Sequence, residues 1–101
     1  MADEVDNLTE KYDALAKAGK NTSEVLSEMN DKVPELIASY RDLADTLSSK
    51  DEVAINEMTD ELEHLYNVAK LTGDYTEFNA KKKEIDDQVT QIEYNNAIRG
   101  G

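Results

Sequence analysis

Leu26, Met29, Val33, Leu36, Tyr40, Leu43 and Leu47 follow one another in steps of three and four, the spacing that brings side chains onto one face of an α-helix. The positions between them are mostly polar or charged, so the pattern predicts a long amphipathic helix with a single apolar seam. Pro34 lies inside it, where proline removes one backbone hydrogen bond and crowds the preceding turn. The phase of the seam passes through Pro34 without a slip, which favours one bent helix over two separate ones.

The flanking segments carry the same periodicity. A first helix is expected from Asp3 to Ala18, with Val5, Leu8, Tyr12 and Leu15 on its apolar face and Gly19 as its stop. Asn21 with Glu24 has the spacing of a capping box and opens the second helix. Ser49 with Glu52 repeats that spacing ahead of a third helix, whose stripe is Ile55, Met58, Leu62, Leu65 and Ala69. Gly73 suits a left-handed stop, and Asp74 with Glu77 starts a fourth helix bearing Tyr75, Phe78, Ile85, Val89, Ile92 and Ile98. Lys81, Lys82 and Lys83 interrupt its register.

Connections of about two to five residues favour antiparallel neighbours. The expected fold is all-α, a single domain over residues 1–101, built as an antiparallel bundle of three to four amphipathic helices. Strict steps of three and four also describe a narrow two-helix seam, so a helical hairpin completed by dimerisation is the competing architecture.

The chain has 101 residues and a net charge of −12, carried mainly by residues 1–63, with 17 acidic against 6 basic side chains. Such a surface repels nucleic acid and anionic membrane and tolerates a basic protein surface as partner. With no cysteine, disulfides and thiolate metal sites are excluded. No apolar run approaches the roughly 18 residues of a spanning helix, and the acidic start lacks the features of a secretion signal. The expected location is cytoplasmic or virion-associated.

Candidate chemistry is sparse. Glu61 and His64 have the Glu-x-x-His spacing of carboxylate-bridged metal sites in helical bundles, but His64 is the only histidine and the remaining ligands of such a site are missing. Serines fall at caps and polar helix positions, and the glycines are isolated stops, so neither a nucleophile motif nor a phosphate-cradling loop is present. No catalytic residue, metal or cofactor is expected. Asp51, Glu52, Glu57, Asp60, Glu61 and Glu63 form an acidic face on the third helix, which either solvates that helix or imitates a row of phosphates.

The stretch Leu26-Ser-Glu-Met-Asn-Asp-Lys-Val-Pro-Glu-Leu-Ile-Ala-Ser-Tyr40, with Glu57-Met-Thr-Asp-Glu-Leu-Glu-His-Leu-Tyr66 and Lys81 to Glu93, resembles helical segments of phage tail tape-measure proteins. Those proteins are far longer, so the resemblance implies a segment or a small assembly relative. It points to a bacterial or phage setting. The functional expectation is a non-enzymatic helical interaction protein acting in assembly or scaffolding, through a protein partner or self-association. Leu26 to Leu47 of the seam, opposed by Ile55, Met58, Leu62 and Leu65, would carry core packing or docking. The alternative is an acidic inhibitor that blocks a nucleic-acid-binding enzyme through the third helix.

Overall fold

Short capping segments divide the chain where glycine and small polar residues break the apolar stripes. The computed structural model describes residues 2–100, with side chains from 4 to 98. The described residues form four α-helices and no strand: α1 (Ala2–Lys17), α2 (Ser23–Ala44), α3 (Ser49–Thr72) and α4 (Thr76–Gly100). The chain is therefore all-α, as its periodicity predicts.

Each helix end has a physical cause. Gly19 takes φ +68°, the left-handed region open to glycine, and lets the Lys20 N–H reach the Leu15 carbonyl at 2.9 Å and its own N–H reach Ala16 at 3.1 Å. Gly73 ends α3 at φ 77°, with its N–H on the Ala69 carbonyl at 2.7 Å. At the start of α2, the Asn21 side chain accepts the Ser23 N–H at 2.9 Å. Asp74 does the same for Thr76 ahead of α4, at 3.0 Å, and also accepts the Thr76 hydroxyl at 2.7 Å.

The α3 cap differs from the expected Ser49–Glu52 pair. Ser48 is the extended capping residue, and its hydroxyl donates to the Asp51 carboxylate at 3.2 Å instead of accepting a backbone N–H. The tightened exit of α2 explains the shift. Thr46 and Leu47 N–H groups bond three residues back, to Leu43 and Ala44, each at 3.0 Å, leaving Ser48 as the residue that changes direction.

Helix α2 is continuous through Pro34. Its contacts nevertheless fall into two compact units, one up to Ser39 and one from Tyr40 onward. In the first unit α1 and α2 run antiparallel: Glu4 lies 3.6 Å from Lys32, and further along α1 Leu8 and Lys11 share a groove with Glu28. Its buried apolar residues are Val5 and Leu8 of α1 with Val25, Met29, Val33, Leu36 and Ile37 of α2.

The second unit contains the end of α2 with α3 and α4. Ala44, Ile55 and Ile92 form one cluster, covered at its edge by Leu47 and Val89. At the other end of the α3–α4 pair, Tyr66 meets Phe78 with ring centroids 5.5 Å apart, and Tyr75 meets Phe78 edge-on at 6.2 Å. Ile55 near Ile92 and Tyr66 near Phe78 define an antiparallel pair.

Burial refines the predicted stripes. On α2, Met29, Val33, Leu36 and Tyr40 are buried, whereas Leu26, Leu43 and Leu47 are half-buried and Val25, Ile37 and Ala44 join the core. This is the broad stripe of a globular helix, and it is covered within one chain. On α3, Ile55, Leu62 and Ala69 are buried as predicted, but Thr59 and Tyr66 replace half-buried Met58 and Leu65. The stripe is rotated by part of a turn. Thr59 can enter because its hydroxyl donates to the Ile55 carbonyl at 2.7 Å, removing the cost of an unpaired buried group. Tyr75, just ahead of α4, and Phe78, Ile85 and Ile92 on it are buried, Val89 is half-buried, and the predicted Ile98 is exposed.

Candidate functional site

The break that three lysines appeared to make in α4 is not a break. Phe78, Lys82, Ile85, Val89 and Ile92 continue the steps of four and three, and Lys82 occupies a stripe position with only 3% of its surface exposed. Its ammonium lies 3.8 Å from Asp86, one turn on, and makes a further interaction besides. Asp86 uses its other carboxylate oxygen to accept the Tyr40 hydroxyl at 2.6 Å, tying α2 to α4. The Lys82–Asp86 pair lies within α4 and is independent of inter-helix register, whereas the Tyr40 hydroxyl bond to Asp86 depends on how α2 and α4 align.

The neighbouring lysines behave differently. Lys81 pairs with Glu84 at 3.0 Å on its own helix and with Glu61 of α3 at 3.1 Å. Its pKa is raised, first by the hydrogen bond it donates to Glu84 and then by the one it donates to Glu61. Lys83 pairs with Asp87 at 3.2 Å on the exposed side.

The acidic face of α3 is partly neutralised in place. Arg41 donates to Asp60 at 2.8 Å and reaches Glu63 at 3.5 Å, and its pKa is raised, chiefly by the Asp60 hydrogen bond. Glu61 is held by Lys81. Asp51 accepts from Ser48, and Asp51 and Glu52 are half-buried in the first turn of α3, where carboxylates suit the helix dipole. Glu57 is exposed. Thus half of the six predicted acids are engaged with cations of the same chain.

His64 is exposed on α3, three residues from Glu61. Among the described residues, no group of three or more His, Asp or Glu side chains is placed to hold a metal ion. Nor, among those residues, is any helix long and apolar enough to cross a membrane.

What the seam leaves uncovered lies at the two ends of the α3–α4 pair. Near the α3–α4 turn, Leu65, Val68 and Ala69 of α3 and Phe78 of α4 line a groove of about 280 Å³, closed by Thr72, Asp74 and Glu77. Val68 is 37% exposed, and Leu71, three residues on, is 88% exposed. At the opposite end Tyr94 and Ile98, one helical turn apart on α4, are each 60% exposed, and Val53 of α3 is exposed as well.

No family model, curated protein or solved structure matches the chain. Function is therefore read from its own side chains.

Beneath the groove, burial pushes the Tyr66 phenol up to about 12, with a smaller contribution from Tyr75. Lys70 covers the same ring, its ammonium 4.8 Å from the centroid. On the rim, the Thr76 hydroxyl and then the Thr76 N–H hold the Asp74 carboxyl below its usual range.

Sequence reasoning missed Val68, Leu71 and Tyr94 as surface features and Lys82 as a buried lysine paired with half-buried Asp86. Continuing the α4 stripe from Tyr75 and Phe78 in steps of four and three finds Lys82. Leu71 carries its own signal, since it falls off the face defined by Ile55, Leu62 and Ala69.

Proposed function

We propose that this chain is a non-enzymatic helical interaction protein acting in assembly or scaffolding, in the bacterial or phage setting suggested by its likeness to tape-measure segments. The observation that carries this reading is large apolar side chains left exposed at helical spacing, Val68 with Leu71 and Tyr94 with Ile98, after the long seam has been consumed in the core. Single exposed apolar residues are ordinary, whereas neighbouring pairs, one of them with Val68 in a groove wall, supply a surface for another helix. Docking is thereby reassigned from the α2 seam to the ends of the α3–α4 pair. The intramolecular partners of Asp60, Glu61 and Glu63 weaken the alternative of a phosphate-mimicking inhibitor, because a mimic needs free charge.

Sedimentation over a wide concentration range, together with affinity capture using wild-type, Leu71→Asp and Tyr94→Asp baits, tests the proposal. Self-association or a stoichiometric protein partner that one of these changes removes is the expected result. A monomer at every concentration with identical captures from all three baits contradicts it.

A further inference from the structure

We infer that the groove at the α3–α4 turn receives a cationic amphipathic helix, which seats an apolar side chain against Leu65 and Val68 and sets its lysines or arginines against Asp74 and Glu77. The inference rests on the interaction reading above and names the chemistry of the partner.

Shape and charge both select this occupant. Leu65 and Val68 lie along one side of α3 and give the groove an accessible apolar wall, backed by the buried Ala69 and Phe78. A furrow between two antiparallel helices accepts the ridge of side chains on a third helix. Its volume of about 280 Å³ suits a large side chain or two from such a ridge. The charged residues in its lining are both carboxylates, Asp74 and Glu77. Lys70, the one lysine or arginine between Glu61 and Thr72, is drawn over the Tyr66 ring.

A second copy is the poorer occupant. In a symmetric dimer built on this face, the Asp74 and Glu77 pair of one copy would approach the same pair of the other, within chains that each carry −12. The other groove, between α1 and α2, mixes Glu4 and Glu28 with Lys11 and Lys32, so charge selects no partner there.

The test is a titration of the isotope-labelled full chain with a synthetic helical peptide of leucine and lysine, followed by amide NMR. A matched peptide with glutamate in place of lysine is the control. The expected result is that shifts centre on residues 65–78 with the lysine peptide, that affinity falls at least tenfold with Val68→Lys or with Asp74→Lys combined with Glu77→Lys, and that the glutamate peptide does not bind. These positions are at the surface, and an unchanged helical circular dichroism spectrum verifies that the variants are folded. Equal binding of both peptides, shifts centred on Tyr94 and Ile98, or affinity indifferent to these substitutions would overturn the groove assignment. Self-association through the same face in the absence of peptide would overturn it too. None of these outcomes removes the interaction reading, which falls only when the Leu71→Asp and Tyr94→Asp baits behave as wild type.

Discussion

Truncating Leu36 to alanine separates a core seam from a docking seam. Leu36 is 2% exposed within a single chain, so the substitution removes three heavy atoms from a packed interior and leaves a cavity. Buried leucines lose about 2–5 kcal/mol on this change, and near-complete burial places Leu36 at about 3–4 kcal/mol. A domain of this size has a total stability of about 5–15 kcal/mol, so a large share of it is at stake. The melting temperature should fall by about 12 °C or more. Leu71→Ala is the matched control: at 88% exposed, it should change stability by no more than about 0.5 kcal/mol. Urea unfolding followed by far-ultraviolet circular dichroism measures both. A Leu36→Ala loss below about 1 kcal/mol, accompanied by a change in sedimentation, would show that the seam faces a partner and would refute the assignment.

Three further perturbations address local features. Gly19→Ala should cost about 1–2 kcal/mol in urea unfolding, because no atom lies within 4 Å of the added Cβ and the penalty comes from the positive φ alone. Arg41→Gln should cost less than about 1 kcal/mol, with the difference vanishing in 1 M salt, since Asp60 and Glu63 are well exposed. Tyr66 has a native pKa raised to about 12 from the ordinary value of 10.0, so folding retains its proton where the unfolded chain has released it. Its contribution is fully present below pH 10 and is lost as pH rises towards about 12; at neutral pH the same phenol leaves stability independent of pH. Ultraviolet phenolate titration of wild type and Tyr66→Phe should show a step near pH 12 that is lost in the variant.

Periodicity made the helices legible because each has to bury one stripe, and glycine made their ends legible because only it enters the left-handed turn without strain. Gly19 and Gly73 are therefore found where sequence spacing puts them. The rotation of the α3 stripe towards Thr59 and Tyr66 was harder to read. Met58 and Leu65 are more apolar than Thr59, and only the hydroxyl's bond to Ile55 makes threonine acceptable inside. Lys82 was hidden for a related reason: adjacent lysines look alike along the sequence, while the helix turns each by about 100° and sends only one inward. The exposed apolar residues were legible least. Periodicity marks what a chain buries, and Leu71 stands outside that pattern.

The account depends most on the α2 seam being covered by its own chain. Amide hydrogen exchange measured at two concentrations differing a hundredfold tests this directly. Met29, Val33, Leu36 and Tyr40 should be among the slowest amides, with the same protection at both concentrations. Protection of those four that collapses on dilution would show that a second copy covers the seam, contradicting the central claim.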